Sequence, residues 1–246
     1  MDTTNAITQS GLDAEISGDS PVAPNSDALH RAHLYHFFEL ALAHPGEEGH
    51  DYFRREATET EFLETYAALA KSDDALLVDG LTSAQRFFAR LRDQSYEQVE
   101  ASHIGLFSAN YPHLPCPPYG SIFTAMDSEK RLEEMLAIKC FYQRNGVDIA
   151  DSFDDLPDHL CVELEFSQLM CFREDAVAYK EDPEVLLGIR GMQTEFLDRF
   201  LLPLGGNLVK LARASMPENL YCSLLETLRC FLLLHRRELG PIAEPA

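Results

Sequence analysis

Four prolines, Pro112, Pro115, Pro117 and Pro118, stand close together near the middle of the chain. Each fixes φ near about −65° and lacks a backbone donor, so residues 111–120 can form neither an α-helix nor an interior strand. They read as a stiff, irregular loop between two halves of the chain, presenting Tyr119, Gly120 and Ser121 to whatever lies opposite. Further along, Leu156-Pro157-Asp158-His159 reads as a helix start. Pro157 suits the first helical position, and Asp158 in the first turn opposes the positive end of the helix dipole. His159 then stands beside that carboxylate.

On both sides of the loop, apolar residues recur at helical spacing. Ser26 or Asp27 caps a helix that ends at His44-Pro45, with Leu34, Phe37 and Ala41 along one stripe. The same period predicts helices over about 50–70, 74–92 and 95–108. Beyond the loop, Asp127 or Ser128 caps a helix through Arg144, which Asn145-Gly146 ends. A polar turn leads to the Pro157 helix, running to about 172, with another over about 174–181. Pro183 opens a long helix that Pro203-Leu204-Gly205-Gly206 breaks, and helices over about 207–214 and 218–238 complete the chain. No convincing run of alternating strand residues occurs. The fold class is all-α, with about nine to ten helices in one bundle-like domain over 27–240. Residues 1–26 are polar and poor in apolar side chains, and are expected to be a disordered tail.

Charge narrows the partners. Twenty Lys and Arg against 41 Asp and Glu give a net charge of −21 over 246 residues. A field of that sign repels phosphate backbones and anionic lipid, so no nucleic-acid or membrane partner is expected. It attracts a basic peptide, speeding encounter more than tightening the complex, and it also serves plain solubility. The six cysteines show neither C-x-x-C nor scaffold spacing and read as reduced thiols in a helical core. With no leader-like start and no apolar run of membrane-spanning length, the expectation is a soluble, cytoplasmic protein.

A search for catalytic or metal chemistry returns little. His30, His33 and His36 recur every third residue with Glu39 beyond, but H-E-x-x-H is absent and an ordinary polar helix face has the same spacing. His159 and Glu163, four apart, can supply two ligands, an acid–base pair, or simply a satisfied polar pair. Phosphate-binding glycine loops and a nucleophile elbow are missing. What remains is an aromatic and aliphatic surface beside a stiff loop, with an Asp-His pair at a helix entrance. That combination suits holding a peptide, and it equally suits packing two halves of a domain together.

Leu106 and Phe107, then Pro117-Pro118-Tyr119-Gly120-Ser121-Ile122-Phe123, then Pro157-Asp158-His159-Leu160, then Glu163-Leu164-Glu165-Phe166, in this order and spacing, resemble the TorD/DmsD family of cytoplasmic chaperones for molybdenum-containing oxidoreductases. Arg31, Tyr35 and His44-Pro45 resemble the family's opening, so the likeness spans about 28–235. It implies an all-helical fold with no catalysis and no cofactor of its own. It implies a partner, the catalytic subunit of a molybdopterin oxidoreductase, held through its twin-arginine signal peptide until the cofactor is in and export by the Tat system can proceed. Carried over by position, Leu106 and Phe107 line the peptide groove, Pro118, Tyr119, Gly120 and Ser121 form its loop wall, and Asp158 and His159 form its polar end, with Asp158 meeting arginine. The likeness implies a monomer or a helix-exchanged dimer. The alternatives are a helical metal-binding protein or enzyme using His159 and Glu163, and a chaperone of the same family for a non-exported nitrate-reductase-like subunit.

Overall fold

A computed structural model of the chain describes residues 6–9, 27–108, 114–179 and 182–240. Helix α1 is Asp27–Leu42, α2 Glu47–Phe53, α3 Glu56–Ala67, α4 Ala75–Arg92 and α5 Tyr96–His103, the last running into a π-turn at Ile104–Ser108. After the proline loop come α6 (Ser121–Thr124), α7 (Ser128–Arg144) and α8 (Leu160–Tyr179). Then α9 (Pro183–Phe196), a π-turn at Leu197–Leu201, α10 (Leu202–Ser215) and α11 (Tyr221–Leu239) close the chain. The fold is all-α, as the periodicity predicts.

Most departures from the sequence reading are local choices overruled by distant contacts. The helix predicted over 50–70 is broken at Arg54-Arg55, and Phe37 supplies the reason. Phe53 and Phe62 both pack on the Phe37 ring, at centroid distances of 5.1 and 4.3 Å. Nine residues apart, they would lie about 180° apart on a straight helix, so only a break brings both to one ring. The separate helix expected over 174–181 is instead the last part of α8. Pro203 does not break its helix either. It lies at the start of α10, and the i→i+5 turn just before it opens the ladder where its ring would strike the Arg199 carbonyl.

Two short strands were not expected. β1 (Ile7–Gln9) pairs antiparallel with β2 (Val147–Ile149), with Ile7 opposite Ile149. Within the tail predicted over 1–26, residues 6–9 are therefore ordered, while 1–5 and 10–26 lie outside the described residues, as do 111–113 of the loop. Three-residue strands fall below the window in which alternation can be read. Ala6 and Ile7 are buried against the helical core, which anchors the pair.

The core is continuous, with two aromatic concentrations. Helix α1 lies along α8, and α4 along α11. Phe37, Phe38, Phe62, Tyr66, Phe88 and Phe231 interlock on one side, and Phe141, Tyr142, Phe166, Phe196 and Phe200 on the other. Among the cysteines, Cys116, Cys171, Cys222 and Cys230 are buried thiols, whereas Cys140 is exposed on α7.

Candidate functional site

The proline loop is clipped to the start of α8 by backbone bonds. Tyr119 and His159 form an isolated antiparallel bridge. The Leu160 N–H donates to the Pro118 carbonyl at 2.8 Å, and the Gly120 N–H to the Asp158 carbonyl at 3.0 Å. This long-range pairing sets the helix start, which falls at Leu160, three residues later than the sequence suggests; Pro157 and Asp158 lie in the turn before it. His159 takes the capping position. Its Nδ1 accepts the Cys161 N–H at 3.1 Å, and its carbonyl accepts the Glu163 N–H at 3.1 Å. With Nδ1 committed as acceptor, the neutral ring carries its proton on Nε2, facing Asp155 Oδ2 at 3.9 Å. Burial lowers the His159 pKa, against the pull of Asp155 and Asp158, and so favours that neutral form.

This clip forms one wall of a groove of about 360 Å³ between α1, the π-turn after α5, the loop and α8. Phe107, Pro118, Tyr119, Phe153 and Leu160 supply its apolar surface. Its formally charged side chains are Glu39, Asp155 and Glu165, and no Lys or Arg occurs among its described lining residues. Three histidines add polarity. His44 and His103 face each other with ring centroids 5.4 Å apart, and His103 Nε2 bonds the Leu42 carbonyl at 3.1 Å. Burial takes the His103 pKa down to about 4, so it stays neutral near pH 7. Glu165 accepts the Ala6 N–H at 3.0 Å and the Ile7 N–H at 3.5 Å. Burial nevertheless raises its pKa to about 7, these two bonds pulling the other way.

The residues expected at the site divide in two. Phe107, Pro118, Tyr119 and His159 line the groove. Leu106 is fully buried beneath it, its carbonyl holding the Cys116 N–H at 3.0 Å. Gly120, Ser121 and Asp158 face a second, much smaller cavity of about 20 Å³ behind the loop. Asp158, expected to meet arginine, is only 3% exposed, and its Oδ2 accepts the Ser121 N–H at 2.7 Å. It positions the loop from behind and does not reach the groove surface.

Sequence reasoning passed over the groove's acidic wall. Glu39 and Glu165 stand among quoted residues, but only the packing of α1 on α8 brings them to one opening. His103 had no sequence signal at all. The His30-His33-His36 ladder goes elsewhere: His33 and His36 line a pocket between α1, α2 and α3, with His36 Nδ1 3.3 Å from Glu39. His159 and Glu163 do not converge on one space either, the first lining the groove and the second the small cavity. Among the described residues, no group of three or more His, Cys, Asp or Glu is arranged to hold a metal ion, and no helix is long and apolar enough to cross a membrane.

A family model described as nitrate reductase delta subunit matches residues 59–210, more than half of the chain and including the loop, the clip and the whole of the groove-lining α8. No curated protein matches the sequence.

Proposed function

The chain belongs to the nitrate reductase delta subunit family of redox-enzyme maturation chaperones, and from that premise we propose that its groove holds the N-terminal signal segment of a molybdoenzyme catalytic subunit. The observation that carries this reading is the pairing of apolar walls with charges of one sign in a groove of about 360 Å³. A groove of that volume takes a few side chains of a bound segment and not a folded domain. A twin-arginine segment offers adjacent guanidinium groups followed by apolar residues. Glu39, Asp155 and Glu165 match the first by charge-assisted hydrogen bonds, and Phe107, Tyr119 and Phe153 match the second by burial. Leu106, Gly120, Ser121 and Asp158 serve the groove by holding its loop wall in place, while Pro118 and His159 face the occupant.

In this reading the protein acts by binding and not by catalysis, in the cytoplasm. It covers the segment while cofactor is inserted and withholds the subunit from export. A second reading is favoured by the family's own description: the partner is a nitrate-reductase-type subunit whose N-terminus is held without any export step. Co-expression of the tagged chain with the catalytic subunit, with and without that subunit's first thirty or so residues, tests both. Co-purification that depends on the segment supports the groove reading, and the presence or absence of an Arg-Arg pair in it separates the two forms. Co-purification indifferent to the segment overturns it.

A further inference from the structure

Behind the loop, three carboxylate oxygens are buried without a partner. Glu163 is 1% exposed, and neither of its oxygens has a hydrogen bond; Asp158 Oδ1 has none, although Oδ2 holds the Ser121 N–H. Both side chains line the same cavity of about 20 Å³, which has room for no more than one water. The approach is close at Gly120, where a Cβ would stand 3.3 Å from Glu163 Oε1 and 4.0 Å from Asp158 Cβ. Two adjacent buried carboxyls cannot both ionise, and acceptors facing acceptors leave each unsatisfied.

We propose that Asp158 and Glu163 share a single proton across this cavity, and that Glu163 is thereby the positioning residue for the Pro118–Ser121 wall of the groove. A proton on Glu163 turns it into an O–H donor to Asp158 Oδ1 and leaves Oδ2 free to hold Ser121. No donor reaches these three oxygens. From α7, the Tyr142 hydroxyl is committed to the Pro157 carbonyl at 3.1 Å, and Glu134, lining the cavity, adds only acceptors. Arg199, from the π-turn before α10, also lines the cavity but lies over the Phe200 ring at 4.8 Å, and the Ser121 and Thr124 side chains line it without a bond to these oxygens. His159 Nδ1 is occupied by Cys161, and the Tyr119 hydroxyl turns to Asp155. Burial first, and the neighbouring Asp158 second, raise the Glu163 pKa well above its ordinary value, in the direction sharing requires.

The positioning role rests on the groove reading above; the shared proton does not. Infrared spectroscopy of the full chain near pH 9, about two units above the Glu165 range, is expected to show a protonated-carboxyl stretch that Glu163→Gln abolishes. Absence of that band in the unsubstituted protein overturns the proposal without reference to any variant. In parallel, a raised folded-state pKa means that stability is full below the ordinary Glu range and falls as pH rises toward the folded value, by at most tenfold per unit in the folding constant. Glu163→Gln, whose amide donates at every pH, is expected to lose that fall; an unchanged slope contradicts sharing. For the groove, an Arg-Arg peptide with an apolar tail is expected to bind Glu163→Gln within twofold of wild type and Glu163→Ala at least tenfold more weakly. If wild type binds no peptide, the groove reading fails while the infrared result still decides the proton.

Discussion

Tyr119 and His159 face each other across an antiparallel bridge, their rings edge to face at 5.2 Å, and both turn their polar atoms toward Asp155, at 3.4 and 3.9 Å. One residue comes from the proline loop and the other from the cap of α8, so the pair couples the groove's wall to the helix behind it. His159 has two separable duties. As a cap, its Nδ1 satisfies a helix-terminal N–H, and as a ring it faces the groove. His159→Ala is expected to lose both, costing about 1–2 kcal/mol of stability and weakening peptide binding. His159→Asn restores the cap but not the ring, so denaturant unfolding is expected to recover while peptide titration does not. Recovery of both would make His159 a cap alone.

Glu165 makes binding depend on pH. Its pKa is raised to about 7 by burial, so its charge, and its attraction for arginine, is present above that range and lost below it. Affinity for an Arg-Arg peptide is expected to rise as pH increases from about 6 to about 8, with the rise largely removed in Glu165→Gln. A flat profile in the unsubstituted chain would take Glu165 out of the contact.

How much of this could be read in the chain follows from the range of each interaction. The caps at Asp74, Asp127 and Asp182 are local, their carboxylates accepting N–H groups two or three residues ahead, and the corresponding helices start where the sequence predicts. The loop and the Asp158-His159 turn are local too, and they carry the family likeness. What a single sequence hid was long-range. The start of α8 is set by Pro118 some forty residues earlier, the break after α2 by Phe37, and the acidic wall by the packing of α1 on α8. Asp158 was legible as a special residue, but its direction was not, because the Ser121 N–H it holds is brought there by the same distant pairing.

Packing of α4 on α11 rests on an absent side chain. A Cβ at Gly80 would fall 2.0 Å from the Tyr66 hydroxyl, which donates to the Thr227 carbonyl at 3.2 Å in the core. Gly80→Ala is expected to cost about 1–3 kcal/mol through overpacking, lowering the melting temperature by a few degrees per kcal/mol. Adding Tyr66→Phe relieves the nearest atom, so the double variant is expected to lose less than the sum of the singles in thermal unfolding.

Arg31 is 1% exposed and donates to Glu174 at 2.8 Å and to Glu238, while Glu174 also accepts from Arg190 at 2.7 Å and Gln193 at 2.8 Å. The network ties α1, α8, α9 and α11 together well away from the groove. Arg31→Ala removes one of the two cations bonded to the buried Glu174 and is expected to destabilise the fold by about 1.5–3 kcal/mol. Urea unfolding measures this, and peptide affinity of the remaining folded protein is expected to be unchanged.

The most direct test of the groove is a fluorescence titration, which the chain's lack of tryptophan makes clean. The probe is a synthetic peptide with Arg-Arg, an apolar tail and one Trp, set against the same peptide with Gln-Gln. At charge-assisted bond energies of about 1.5–3 kcal/mol, the Arg-Arg peptide is predicted to bind at least tenfold more tightly, and a Glu39→Gln, Asp155→Asn, Glu165→Gln triple variant to erase that preference while leaving the Gln-Gln peptide unaffected. Equal affinity for the two peptides, or a preference that survives the triple variant, would contradict the account.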